Sequence, residues 1–147
     1  MSVTDLHKII SIIPDIMKFA EASQNNIDIC IQSLLGLKKI YIPDDYIEFL
    51  KNISDGVSVN GISLFGTIDQ KYKIYLFPSL ITVNKQFSDI MFLKDYLIIG
   101  QFFNLYIVYN YNSKLYEIIN LTTNSPIYAC FSFERLFYEL LIKRNDE

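Results

Sequence analysis

The run from Ile42 to Gly56 constrains this chain most, because it reads as a short helix with both ends marked. Pro43 suits the first helical position, where its missing N–H costs nothing. Asp44 and Asp45 follow, and negative charge in a first turn complements the free N–H groups and the helix dipole. Tyr46, Phe49, Leu50 and Ile53 recur at helical spacing and make one apolar stripe. Gly56 is placed to stop the helix in a left-handed conformation. A strand-like run follows from Val59 to Phe65. Asp44, Asp45 and Glu48 are acidic neighbours that could bind a cation or act as a carboxylate pair. Dipole complementarity accounts for the first two without either role.

Upstream, Thr4 is a candidate N-cap for a first helix along which Leu6, Ile9, Ile10, Ile13, Met17 and Ala20 recur. Pro14 should kink or split that helix. Asn26 can cap a second helix, with Ile27, Ile31, Leu34 and Leu35 on one face and Gly36 at its end. Downstream, Tyr72 to Phe77 reads as a strand stopped by Pro78. Ser79 to Met91 fits a helix through Leu80, Val83, Phe87, Ile90 and Met91. Strands are expected over Tyr96–Gln101, Leu105–Tyr111 and Lys114–Leu121, with Asn112-Ser113 a tight turn between the last two. A short strand is expected around Ile127–Cys130. A closing helix carries Phe133, Leu136, Phe137, Leu140 and Leu141 on one stripe. Ser132 caps it, Glu134 lies in its first turn, and Lys143 and Arg144 lie in its last. The order predicts one α+β domain over residues 1–147: N-terminal helices, a mostly antiparallel sheet packed by helices on one face, and a closing C-terminal helix.

Composition narrows the function. With 51% hydrophobic and 20% charged residues in 147, the chain can bury a real core and global disorder is not expected. A net charge of -3 argues against nucleic acid as the main partner. The apolar run from Ile9 to Ala20 is interrupted by Pro14, Asp15 and Lys18, so neither a signal peptide nor a membrane span is expected there. Cys30 and Cys130 are the only cysteines, far apart in sequence, and read as reduced core residues of a cytoplasmic protein. His7 is the only histidine, which excludes a histidine-based metal site by count and leaves no histidine-assisted nucleophile with suitable neighbours. No Gly-rich phosphate loop is present. Two carboxylates alone can serve a glycosidase, but a domain this small leaves little room for a pocket. The expectation is therefore no enzyme, no cofactor and no metal.

The segment from Tyr96 to Phe131 carries only two charged residues, Lys114 and Glu117, and is rich in tyrosine. Along its middle strand Leu105, Ile107, Tyr109 and Tyr111 point one way, while Tyr106, Val108 and Asn110 point the other. Two readings stand. Helices and loops cover both sheet faces, or one face is a protein-binding surface, for which tyrosine and charge depletion are suited. On the second reading Tyr106 and Tyr116 are the candidate anchors. Asp44, Asp45 and Asp69 are a candidate acidic rim.

Several of these pieces together resemble a known family. Pro-Asp-Asp-Tyr-Ile-Glu-Phe-Leu from Pro43, then Ser54-Asp55-Gly56, then Asn60-Gly61-Ile62-Ser63-Leu64-Phe65-Gly66, resemble the core signature of the SUKH superfamily. Tyr96-Leu97-Ile98-Ile99-Gly100 is similar to its next strand, and Ser132 to Phe137 to its closing helix. The Gly-rich hairpin usual after the Ile-Gly strand is here Gln101-Phe102-Phe103-Asn104, and the chain has no Trp. The subfamily stays open. The superfamily includes a yeast cell-wall-assembly regulator and many bacterial immunity proteins. The resemblance implies a non-catalytic domain that binds a protein partner: a cognate bacterial toxin, for instance a nuclease, neutralised in the cytoplasm. The alternative it leaves is a housekeeping interaction or scaffold domain with no toxin partner.

Overall fold

The computed structural model describes residues 3–143. Helix α1 (Val3–Ile12) leads through a two-residue strand β1 (Met17–Lys18) to α2 (Gln24–Leu35) and α3 (Asp44–Asn52). Two hairpins follow, β2 (Val57–Val59) with β3 (Ile62–Leu64), and β4 (Gln70–Tyr72) with β5 (Tyr75–Phe77). Helix α4 (Leu80–Gln86) and a single 3-10 turn (Met91–Leu93) precede a four-strand meander. Its strands are β6 (Tyr96–Phe102), β7 (Leu105–Asn110), β8 (Leu115–Asn120) and β9 (Ser125–Cys130). Helix α5 (Phe133–Phe137) continues as a π-helical turn (Tyr138–Lys143).

The fold is α+β. Its main sheet has seven antiparallel strands in the order β1-β2-β3-β6-β7-β8-β9, and β4-β5 form a separate two-stranded sheet. The apolar stripe of α3 packs inward, with Tyr46, Phe49 and Leu50 all buried. Phe49 stacks on Phe133 and Phe137 at centroid distances of 4.8 and 5.7 Å, which joins α3 to α5 over the sheet. No helix among the described residues is long and apolar enough to cross a membrane.

Several local expectations shift. Pro14 ends the first helix outright: α1 stops at Ile12, and Met17 pairs with Ser58 in the sheet instead of continuing a helical stripe. The cap of α2 is Ser23, whose hydroxyl accepts the Asn26 N–H; Asn26 is the donor, three residues into the bond. Helix α3 closes at Asn52, and Gly56 (φ 106°) serves the turn into β2. The run from Val59 to Phe65 is two strands, because Asn60 and Gly61 both take positive φ (50° and 81°) and reverse the chain. Tyr72 to Phe77 likewise splits, at Lys73 (φ 57°). Ser132 caps α5 as expected, accepting the Arg135 N–H. The side chain of Thr4, the expected first cap, lies outside the described residues, as do the Lys143 side chain and Arg144.

Strand β3 pairs with β6 only over Gly100–Phe102. Beyond it the Asn84 side chain takes the place of a strand: its amide donates to the Ile98 carbonyl and accepts the Ile98 N–H, both at 2.9 Å. This satisfies a buried backbone edge that would otherwise go unpaired.

Candidate functional site

The site lies where the N-terminus of α3 meets the end of β7, the start of β8 and the link from β9 to α5. Three of the five candidate residues converge there. Asp45 is not a free rim carboxylate. Its Oδ2 accepts the Phe133 N–H at 2.8 Å and its Oδ1 accepts a short hydrogen bond from the Tyr116 hydroxyl. One side chain thus ties α3 to β8 and to the first residue of α5. Asp44 stays exposed beside it.

Around these carboxylates runs a chain of aromatic rings. Tyr116 meets Phe133 at 6.0 Å and Tyr109 at 5.1 Å; Tyr109 meets Tyr41 at 5.8 Å; Tyr41 meets Tyr111 at 5.0 Å. All four contacts are edge-to-face, the geometry that ring quadrupoles favour. The Tyr41 hydroxyl donates to the Tyr109 hydroxyl at 3.3 Å, and the Tyr111 hydroxyl donates to the Tyr41 carbonyl at 2.6 Å. The segment that carries Tyr41 is pinned from below by Lys39, whose ammonium donates to the carbonyls of Leu93 (2.8 Å) and Tyr96 (2.6 Å). Burial lowers the Lys39 pKa, against the opposing pull of Asp95.

Together these groups line an open cavity of about 380 Å³, walled by Tyr41, Pro43, Tyr109 and Tyr116, with Asp44 and Asp45 on one side. Phe131, 87% exposed, stands at its edge. Burial, with the nearby Asp45 charge, pushes the Tyr116 hydroxyl well above its ordinary range, and burial with the adjoining Tyr41 hydroxyl does the same for Tyr109. Both stay protonated at neutral pH: the Tyr116 hydroxyl donates to Asp45, the Tyr109 hydroxyl accepts from Tyr41, and their rings wall the cavity. The two cysteines are free and buried. Burial, and secondarily Asp55, raises the Cys30 thiol to about 12, which leaves it inert as a nucleophile. Glu48 turns to Asn52, which donates to its carboxylate at 2.7 Å. No group of three or more metal-ligating side chains occurs among the described residues.

Tyr116 and Tyr106 prove to lie on opposite faces of the sheet. In the β7–β8 register Tyr116 opposes Tyr109, while Tyr106 opposes Ile119. Tyr116 is only 1% exposed, so it is a wall of the cavity and not an outward anchor. Tyr106 packs edge-on against Phe87 at 5.1 Å. Asp69 lies elsewhere, at the base of β4–β5, where it accepts the Ser79 N–H and the Thr82 hydroxyl, each at 2.8 Å. The centre of the second sheet face is closed as well: Val108, Glu117 and Ile119 are buried. Among the described residues the tyrosines of β7 and β8 do not form a broad exposed platform, and a cavity stays open at the sheet's end.

Tyr41, Tyr109 and Phe131 complete the site and were not candidates from the sequence. For Tyr109 a signal was present. A tight turn at Asn112-Ser113 already sets Tyr109 opposite Tyr116, and reading the strands as a pair would have joined them. Compared with known proteins, the chain matches no protein-family model and no curated protein.

Proposed function

We propose that this protein is a non-catalytic, protein-binding domain of the SUKH type. In this reading it is an immunity protein that binds a cognate bacterial toxin in the cytoplasm and blocks it one-to-one. The observation that carries the reading is the tyrosine-walled, carboxylate-edged cavity with Phe131 exposed at its edge. Large rigid aromatics with few charges are what a protein docking site uses. Of the carboxylates on the cavity Asp45 is already engaged, since both its oxygens accept hydrogen bonds, and the tyrosine hydroxyls hold their protons. The surface extends beyond the cavity. Exposed Ile127 lies on β9, an edge strand whose outer side has no partner strand among the described residues. Such an edge, with the cavity, can approach the roughly 800 Å² per partner that stable complexes bury. The acidic balance suits a basic partner such as a nuclease, because opposite charge speeds encounter.

The test is capture of the tagged protein from cells that produce it, identification of what co-purifies, and titration of that partner's activity. Inhibition should saturate near one equivalent. Loss of the partner's activity at a small fraction of an equivalent would mean turnover and would overturn the reading. A stable partner with no toxic activity would make this a housekeeping interaction domain instead.

A further inference from the structure

The cavity has an electrostatic imbalance. Asp44 and Asp45 both border it, and among the described residues no lysine or arginine does. Among the described residues the ion pair present is Arg135–Glu139, and neither aspartate takes part in one. The donors to Asp45 are a neutral hydroxyl and a neutral amide, which orient the carboxylate without cancelling its charge. Asp44 makes no side-chain hydrogen bond among the described residues and faces solvent. The two carboxylates therefore act in the same sense on anything that enters. The other walls include the rings of Tyr41 and Tyr109, whose faces attract cations through their quadrupoles, the more so where water is excluded. A volume of about 380 Å³ sits at the small end of ligand sites, enough for one long side chain.

We propose that the cavity receives an arginine side chain of the bound partner, its guanidinium set against the Tyr41 and Tyr109 rings and facing the Asp44 and Asp45 carboxylates. Arginine fits better than lysine for two reasons. Its planar head stacks on aromatic faces, and its fork of N–H groups can serve two acceptors at once. Its apolar stem would lie along Phe131 at the edge. The inference rests on the reading of this surface as a protein-docking site, and it names the chemistry of the residue that docks.

The experiment uses the full chain and a small probe, so it does not depend on finding the partner. N-acetyl-arginine methylamide is titrated against the protein while aromatic NMR signals are followed. The citrulline counterpart, of the same shape without the charge, runs in parallel. The arginine probe should shift the Tyr41, Tyr109 and Phe131 signals saturably, and should bind about tenfold tighter than the citrulline probe. Asp44→Asn should weaken it about tenfold while the melting temperature falls by no more than about 4 °C, the helix-dipole contribution of an exposed first-turn charge that makes no internal bond. Added salt should weaken it too. Absence of saturation, equal binding of both probes, or an unchanged affinity in Asp44→Asn would overturn the assignment. The two proposals fail separately. If the arginine probe binds here but no protein partner is blocked, the functional reading is wrong and the cavity assignment stands. If a partner is blocked equally well by the Asp44→Asn protein, the reverse holds.

Discussion

The hairpins β2–β3 and β4–β5 share a plan and differ in surroundings. Each turns over two residues with a positive φ at the first, Asn60 in one and Lys73 in the other. Each is closed at its base by an aspartate that precedes the hairpin and grips the chain just after it. Asp55 accepts the Thr67 N–H and hydroxyl, both at 2.7 Å. Asp69 accepts the Ser79 N–H and the Thr82 hydroxyl, both at 2.8 Å. Yet β2–β3 is stitched into the seven-stranded sheet with Val57, Val59, Ile62 and Leu64 buried. The β4–β5 hairpin pairs with nothing else among the described residues, and Ile74, Tyr75 and Leu76 are exposed. Turn chemistry and a carboxylate clamp suffice to shape a hairpin. What surrounds it decides how much it contributes to stability, since two strands alone are marginal.

The largest expected effect is in the buried hairpin. Leu64→Ala should cost about 2–5 kcal/mol in urea melts, the range for a fully buried large-to-small change. A cost near zero would mean that β2–β3 is as dispensable as its counterpart, and the contrast would fail. The clamp comes next. Asp55→Ala should cost about 1–3 kcal/mol, because the N–H and hydroxyl of buried Thr67 lose their acceptors. Space is tight there: a Cβ on Gly66 would collide with the Asp55 backbone and carboxylate, so Gly66→Ala should disturb the same clamp.

The second clamp should matter less. Asp69→Ala should cost about 0.5–1 kcal/mol, as for loss of a helix-capping acceptor at the surface. The pair can be separated more sharply by pH, because their shifts have opposite signs. Burial raises the Asp55 pKa despite the two bonds from Thr67. A carboxyl raised in the folded state binds more protons there than in the unfolded chain. Its contribution therefore falls as pH rises from the ordinary value near 3.8 to the raised folded value. At Asp69 burial also raises the pKa, but the bonds from Ser79 and Thr82 outweigh it and the net shift is downward. Its contribution is present above the ordinary value near 3.8 and is lost as pH falls through the lowered folded value. Stability measured against pH should thus lose a falling limb in Asp55→Asn and a rising limb in Asp69→Asn. Slopes of the same sign would show that the two clamps are electrostatically alike after all.

Much of the frame is legible in the sequence, for reasons that also explain the gaps. The stripe Tyr46, Phe49, Leu50, Ile53 reads as a buried helix face because local spacing alone sets it. The strands β6, β7 and β8 and the Ser132 cap follow from alternation and composition in the same way. The split at Lys73 does not, because lysine and isoleucine are not turn residues and the flanking apolar run looks continuous. Strand β1 is invisible because two residues carry no period, and its pairing depends on β2, forty residues away. The site divides along the same line. Asp44, Asp45 and Tyr116 stand out by type, but Phe131 joins them only through long-range packing, and Tyr41, three residues before Asp44, is marked out only by its contacts with Tyr109 and Tyr111. Alternation within one strand makes Tyr106 and Tyr116 equally good candidate anchors, and only the cross-strand register sets them on opposite faces.

The smallest expected effect lies at the tip of β4–β5. Ile74 is 91% exposed, and Leu76 and Tyr75 beside it are exposed as well, so replacing Ile74 or Leu76 by serine removes almost no buried area. The change in stability should stay within about 0.5 kcal/mol of zero. The hairpin's hold on the body includes Phe77, whose ring lies 5.2 Å from Phe19 and 6.0 Å from Phe65, and the Asp69 clamp. Both lie at the base, and neither is disturbed by a change at the tip. Hydrogen exchange gives an independent reading. Amides of β4–β5 should exchange faster than those of β2–β3, because local opening of an isolated two-stranded piece breaks few buried contacts. If Ile74→Ser instead destabilises the protein by more than about 1 kcal/mol, the tip is packed against the body, and the contrast between the hairpins disappears. If stability is unchanged but sedimentation shows that the serine variant has lost an assembly the parent protein forms, the exposed side chains are covered by a second molecule. The two hairpins would then differ in what buries them, the sheet in one case and a neighbour in the other.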